Sequence, residues 1–382
     1  MKRLLCLCLV LGLLGAFFPR FVHATQMDLP VKSAVLMDVT TGKILYEQDA
    51  HTPLAPASVT KVMTMLLIME AIDSGKIGWN DTVTASETAA AKGGSQIYLK
   101  VGETMSVSDM VKSIAVSSAN DCACAMAEHI AGSEAAFVEK MNQRAKELGM
   151  QDTNFVNCTG LDDDEAAKNH KTSAYDIAIM SAELLKNHPD IKKYTTIWMD
   201  TVRNGAFGLS NTNKLVRFYQ GATGLKTGFT SQAGYCLSAS AQRDGMELVA
   251  VVMGAKTSQE RFAACKSMLD YGFANYALVK PRLDTEPWVQ VNMGTQEAVQ
   301  AVPAQDPSLL VEKGQKDNIT THLELEQSLP APISRGQRLG TMTVKAGEYV
   351  LAQIPLVAAE SVNRLTFGDL LSRMLRFWTM AA

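Results

Sequence analysis

Apolar and polar positions change texture several times along this chain, and each change predicts a different kind of element. Leu4 to Phe18 is an apolar run behind the basic start Met1-Lys2-Arg3. Ser33 to Val39 and Lys43 to Glu47 are short apolar runs flanking Thr40-Thr41-Gly42, which predicts a β-hairpin. Ser58 to Asp73 is apolar and Met-rich and stops at Gly75, so it reads as a buried helix that opens at Ser58. Ser106 to Val116 starts with a Ser106/Asp109 capping signal, Asp121 to Ala131 ends at Gly132, and Glu134 to Leu148 ends at Gly149, which makes the middle of the chain helical. Ala222 to Lys226, Gly234 to Gln242 and Glu247 to Met253 then alternate or run apolar and predict strands, the last two joined by the tight turn Arg243-Asp244-Gly245. Thr257 with Glu260 is a capping-box pattern opening a helix to about Tyr276.

Beyond Pro281 the pattern shortens. Trp288 to Met293, Leu309 to Glu312, Thr320 to Leu325 and Gly340 to Val344 are strand-like pieces separated by Gly, Pro and Asp, which predicts a small all-β domain over 281–360. From Asn363 to Trp378 the period returns to that of a helix. Leu365, Phe367, Leu370, Leu371, Met374, Leu375, Phe377 and Trp378 supply a wide apolar face, and Arg364, Arg373 and Arg376 sit where lipid headgroups would be. That segment is too short and too charged to span a bilayer, so 361–382 reads as an in-plane anchor.

The chain has 382 residues, 47% hydrophobic and 20% charged, enough for two domains with ample core. Its net charge of -3 argues against a nucleic-acid partner, because tracking phosphates needs a basic excess. The basic start, the apolar run and Val22-His23-Ala24 together read as a signal peptide over 1–24, cleaved after Ala24, which directs the protein across the cytoplasmic membrane. Cys6 and Cys8 leave with it, and Cys122, Cys124, Cys158, Cys236 and Cys265 remain. An odd number leaves a thiol unpaired, and Cys122-Ala123-Cys124 without a matching pair or a nearby histidine is a poor zinc site, so these residues are expected to be buried core. No histidine stands at a metal-binding spacing, and neither a metal nor another cofactor is expected.

Three short motifs carry chemistry: Ser58-Val59-Thr60-Lys61, Ser118-Ala119-Asn120 and Lys226-Thr227-Gly228. S-x-x-K alone turns up by accident about once or twice in a chain this long, and S-x-N recurs at Ser361-Val362-Asn363. The order of the three and the fit of each to a role give the set its weight. Residues three apart on a helix share a face, so Lys61 can take the proton of Ser58 and make its hydroxyl a nucleophile. For that Lys61 must be largely neutral, which burial and the nearby cation Lys226 both favour. Ser118 offers a hydroxyl to relay a proton to a leaving amine, Asn120 an amide to hold Lys61 and a substrate backbone, and Lys226 with Thr227 a binding point for a free carboxylate. Gly228 lets a substrate lie along the strand.

The motifs resemble those of penicillin-binding proteins and serine β-lactamases, and within that group the chain is most similar to low-molecular-mass D-alanyl-D-alanine carboxypeptidases. Ala34-Val35-Leu36-Met37-Asp38, Thr172-Ser173-Ala174-Tyr175-Asp176 and Gly221-Ala222-Thr223-Gly224-Leu225 extend the likeness, which runs from about Leu29 to the C-terminus. The resemblance implies an α/β penicillin-binding/β-lactamase-like catalytic domain over 25–280, an antiparallel sheet with flanking helices and a helical insertion. It implies that the β domain lifts this body off the membrane. It further implies an oxyanion site made by the backbone N–H groups of Ser58 and Phe229, a peptidoglycan stem peptide ending in D-Ala-D-Ala as substrate, β-lactams as covalent inhibitors, and attachment to the outer face of the cytoplasmic membrane. Phe229 stands where many members have histidine. Two alternatives remain open from the residues: a class A-type β-lactamase, for which Glu165 and Asn169 have the E-x-x-x-N spacing of a deacylating loop, and a β-lactam sensor that acylates without turnover. The run Asp162-Asp163-Asp164-Glu165 otherwise reads as a solvated loop.

Overall fold

The computed structural model describes residues 27–281 and 286–380. The expected signal segment, with Cys6 and Cys8, lies outside them. The fold is built from Val31 onward. Strands β1 (Ser33–Asp38) and β2 (Ile44–Gln48) form the expected hairpin, and β3 (Ala222–Thr230), β4 (Gly234–Arg243) and β5 (Met246–Ala255) complete a five-stranded antiparallel sheet ordered β2-β1-β5-β4-β3. β5 lies at the centre with all of its residues buried, which is what a continuous apolar run predicts for a strand covered on both faces.

Between β2 and β3 the chain inserts its helices: α1 (Lys61–Asp73), α2 (Val107–Ser117), α3 (Asn120–Ala131), α4 (Glu134–Glu147) and α5 (Ala174–Asn187). α1 buries Met63, Met65, Leu66, Ile68 and Met69 completely, so it is a core helix rather than an amphipathic surface one. The start read at Ser106 is a real cap. Ser106 Oγ accepts the Asp109 N–H at 3.1 Å, and Ser133 and Ser173 cap α4 and α5 in the same way. α6 (Ser258–Asn275) opens with both halves of its capping box in place between Thr257 and Glu260. It covers one face of the sheet, where Gly272 packs against Leu248 and Leu36. α5 covers the other, where Ser181 meets Ser238 at 2.8 Å.

A second core follows. β6 (Tyr276–Val279) leaves α6 and pairs with β9 (Leu309–Glu312), while β7 (Trp288–Asn292), β8 (Ala298–Pro303), β10 (Ile319–Leu325), β11 (Ser328–Pro330), β12 (Arg338–Ala346) and β13 (Tyr349–Ala358) form a six-stranded sheet ordered β10-β12-β13-β8-β7-β11. Val289, Val299, Leu339, Met342, Val344, Ile354 and Leu356 make its own apolar cluster. The sequence pattern marks β7, β9, β10 and β12 among these strands and misses β6, β8, β11 and β13. β13 carries a proline, Pro355, which counts against a strand when read locally. α7 (Phe367–Met380) ends the chain, starting four residues later than the periodicity implied because Thr366 and Asp369 cap it reciprocally.

Candidate active site

The nucleophile candidate does not open an α-helix. Ser58 lies in a 3-10 turn, Ala57–Thr60, directly before α1, and Ala57 is held at a φ of +50°. The tight turn leaves Ser58 half-buried and aims Lys61, the first residue of α1, back at it: Lys61 Nζ donates to Ser58 Oγ at 2.9 Å and to the Thr159 carbonyl at 2.8 Å. Lys61 is 0% exposed. Burial drives its pKa down to about 7 against weaker opposing pulls from Cys158 and Asp121, so near neutral pH a large share of Lys61 is the free amine.

Lys226 comes to the same place from the edge strand β3. It is buried, its Nζ donates to the Thr227 carbonyl at 2.9 Å, and its pKa falls well below the ordinary lysine value through burial first and the charge of Lys61 second. The expectation that Lys226 is the cation depressing Lys61 is therefore modified. Desolvation is the main cause at both lysines, and the like charges make it costly for both to be protonated together. Thr227 Oγ1 donates to Thr212 Oγ1 at 2.7 Å. Gly228 is required where it stands: a Cβ there would approach Ser58 N to 3.1 Å and the Pro56 carbonyl to 2.7 Å, so only a bare backbone lets β3 lie this close to the Ser58 turn. The strand read from sequence stopped at Lys226, but it continues to Thr230 and carries the whole motif as a ladder. Phe229 is 54% exposed and its ring lies 4.3 Å from Tyr235, its cross-strand partner.

The second motif lies nearby, since Asp121, the residue after Asn120, is close enough to Lys61 to pull its pKa upward. Ser118 ends α2 in the left-handed conformation, φ +64°, and this sharp reversal starts α3 at Asn120. Ser118 Oγ and Asn120 Oδ1 are buried and find no hydrogen-bond partner among the described residues. The rest of Asn120 is pinned, its Nδ2 to the Gly93 carbonyl at 2.7 Å and its N–H to the Ser95 carbonyl at 2.7 Å.

Several residues at the site were not singled out from sequence. Asn157 folds the loop that carries Thr159: its Oδ1 accepts the N–H groups of Thr159 at 3.1 Å and Gly160 at 2.6 Å. The Val156 N–H donates to His170 Nδ1, which leaves the proton on Nε2 to bond Thr60 Oγ1 at 2.8 Å, and Thr60 in turn donates to the Ala57 carbonyl at 2.8 Å. Burial and the Lys61 charge push His170 down to about 4, so this chain of bonds is neutral and stays intact at working pH. Arg261, from α6, donates from one guanidinium nitrogen to the carbonyls of Gly228 at 2.8 Å and Cys236 at 3.3 Å, fixing the end of the third motif. Outside the 157–160 turn, none of these lies in a local pattern. A conspicuous Asn-x-Thr-Gly turn was the one signal available.

Gly160 fits so tightly that any side chain would strike the Ala57 carbonyl, and its φ of +81° disfavours other residues as well. Gly160→Ala is expected to cost about 2–4 kcal/mol, lowering the thermal midpoint by several degrees. An unchanged melting curve would refute this account of the turn.

Glu165, the deacylating candidate of the β-lactamase alternative, points to solvent. Its side chain is 83% exposed and pairs with Lys168 at 2.6 Å. Asn169 contributes its carbonyl to Asn154 Nδ2. Cys122, Cys124, Cys158, Cys236 and Cys265 are free and buried, and the pair Cys122 and Cys124 lies in the core as expected. Cys158 is held as a neutral thiol by its hydrogen bond with Cys124 and by burial. Glu70, Glu183 and His188 converge as metal ligands can, but Arg144 ties Glu70 and Glu183, each at 2.7 Å, and His188 bonds Asp73, so the cluster is an ion-pair network.

Comparison with known proteins agrees with this geometry. Residues 21–257 match the D-alanyl-D-alanine carboxypeptidase family, peptidase S11, and residues 285–364 match the C-terminal domain family of penicillin-binding protein 5. The chain is 44% identical to the D-alanyl-D-alanine carboxypeptidase DacF of Bacillus subtilis over 99% of both proteins. Among solved structures it is similar to penicillin-binding protein 5 of Haemophilus influenzae, with a TM-score of 0.76 and 32% identity over 89% of this chain and 99% of that one. It is also similar to penicillin-binding protein D2 of Listeria monocytogenes in its ampicillin-bound form, with a TM-score of 0.57 and 33% identity over 65% of this chain and 99% of that one. The chain belongs to the D-alanyl-D-alanine carboxypeptidase family of low-molecular-mass penicillin-binding proteins, and it is a serine-type D-Ala-D-Ala carboxypeptidase.

Proposed function

We propose that the enzyme trims the terminal D-alanine from peptidoglycan stem peptides through an acyl-enzyme on Ser58, and that β-lactams acylate the same oxygen. The observation that carries this reading is a fully buried lysine amine, held near half-neutral at pH 7 and 2.9 Å from the Ser58 hydroxyl. Lys61 accepts the proton as Ser58 Oγ attacks the carbonyl of the penultimate D-alanine. The oxyanion that forms is met by the backbone N–H groups of Ser58 and Phe229. Ser118 passes a proton to the departing amine, and free D-alanine leaves. Water then adds to the ester, and the same groups return Ser58 to its resting state.

The substrate's free carboxylate goes to Lys226 and Thr227. Because an anion beside a buried lysine favours the charged form, binding itself restores the charge that burial opposes. This makes a chain end, rather than an internal peptide bond, the preferred ligand. The buried, unpartnered Ser118 Oγ and Asn120 Oδ1 support a polar ligand beside them, since such groups are normally satisfied. To test the assignment, the purified protein is incubated with a peptide ending in Lys-D-Ala-D-Ala and free D-alanine is measured. Steady release is expected; labelling by a fluorescent penicillin without release would move the assignment to a sensor.

We further propose that the mature chain begins after Ala24 and is attached to the outer face of the cytoplasmic membrane by α7. Among the described residues no helix is long and apolar enough to cross a membrane. Phe367, Leu371 and Met374, spaced to share a helix face, are exposed, which suits in-plane binding. A chain ending at Ser361 is expected to stay in solution under conditions where the complete mature chain pellets with lipid vesicles, and pelleting of the shortened chain would exclude α7 as the anchor.

A further inference from the structure

Tyr98 is 67% exposed and adopts a φ of +60°, a conformation uncommon for an aromatic residue. Its neighbours show why it is held there. The buried Asp121 carboxylate accepts the N–H groups of Ile97 at 3.1 Å and Leu99 at 3.0 Å. Arg203, from the hairpin Met199–Val202/Phe207–Ser210, donates to the carbonyls of Ile97 at 2.7 Å and Tyr98 at 3.3 Å and is itself fixed by Glu103 at 2.6 Å. Ile97 and Leu99 are buried on either side, so the ring is turned out of the protein. The Phe207 ring, 6.4 Å away edge-on, limits its sideways movement.

This anchored backbone is continuous with the wall of the catalytic cleft. Gly93 and Ser95 accept from Asn120, and Ile97 and Leu99 accept their constraint from the next residue, Asp121. With the D-Ala-D-Ala end assigned to Asn120, the residues before it would lie beside the 93–99 segment that Asn120 bonds at Gly93 and Ser95, and Tyr98 stands exposed on that segment. The proposed catalytic residues account for the D-Ala-D-Ala end, and none of them accounts for an aromatic ring presented at a strained backbone position.

We propose that Tyr98 is a specificity-determining residue for the peptide portion preceding D-Ala-D-Ala, its ring face covering the apolar stem of an upstream side chain. The proposal rests on the assignment of the cleft between Ser58 and Asn120 as the carboxypeptidase site. Tyr98→Gly removes the ring and relieves the positive φ, so folding is not put at risk. With a pentapeptide ending in Lys-D-Ala-D-Ala, Tyr98→Gly is expected to raise KM about five- to tenfold at unchanged kcat, the signature of lost binding that is equal in ground and transition states. With N-acetyl-D-Ala-D-Ala, and in acylation by benzylpenicillin, it is expected to match the unaltered enzyme, and Tyr98→Phe is expected to keep the original KM with the pentapeptide. An unchanged pentapeptide KM would overturn the proposal. So would an equal loss with the dipeptide and penicillin, which would mark Tyr98 as a structural prop. Failure of the unaltered enzyme to release D-alanine from either peptide would instead count against the underlying site assignment.

Discussion

Ser58→Ala is expected to abolish both D-alanine release and covalent labelling by a fluorescent penicillin, a loss of about a thousandfold or more. The substitution removes the one oxygen that Lys61 Nζ reaches at 2.9 Å and leaves the backbone turn able to form, because Ser58 is half-buried and its neighbours Val59 and Thr60 supply the packing. Stability should therefore change by about 1 kcal/mol or less, so a melting curve separates lost chemistry from lost fold. The other site groups remain, and binding of the peptide should persist while turnover stops. Intact-mass analysis after exposure to penicillin is the direct check: an adduct that survives Ser58→Ala would show that another residue is the nucleophile.

Lys61→Arg should cost a comparable factor, for a different reason. A guanidinium stays protonated at any working pH and cannot accept the Ser58 proton. In the unaltered enzyme burial lowers Lys61 to about 7, and with its neutral form as the proposed base, acylation is expected to rise with pH through about 7 and to fall roughly tenfold per unit below it. Lys226 acts in the opposite sense. In the proposed mechanism its charged form holds the substrate carboxylate, so activity on peptides is expected to fall as pH rises through a pKa that burial and Lys61 have depressed, with an alkaline limb earlier than for an exposed lysine. A pre-steady-state acylation rate that showed no acid limb near neutrality would contradict Lys61 as the base.

Much of the fold was legible because its signals are local. The caps at Ser106 and Thr257, the glycine stop at Gly132 and the β1–β2 hairpin each depend on a few consecutive residues, and each is present. Where the reading slipped, a non-local contact decided. Ser58 lies in a 3-10 turn and does not open an α-helix: Thr60 Oγ1 bonds the Ala57 carbonyl, and Gly160, about a hundred residues further on, packs so closely against that carbonyl that no side chain fits between them. β3 extends past Lys226 because β4 offers partners as far as Gly234. β13 tolerates Pro355 within its pairing to β12.

The amino-acid order by itself determined which groups are available: a serine three residues before a lysine, a serine and an asparagine at a helix junction, a lysine and a glycine in an edge strand, and a tail with one apolar side. Spacing of that kind is a property of neighbouring residues, and local backbone geometry converts it directly into shared faces. Whether those groups are reactive was decided by tertiary structure. Lys61 is in large part a free amine near neutral pH because the core closes over it, and Thr159, almost a hundred residues later in the chain, binds its nitrogen. Glu165 has the spacing of a catalytic residue yet faces water, and Tyr98 has no motif yet is held outward beside the cleft. Desolvation and hydrogen bonding by distant segments set protonation and exposure, and neither is encoded at any single position.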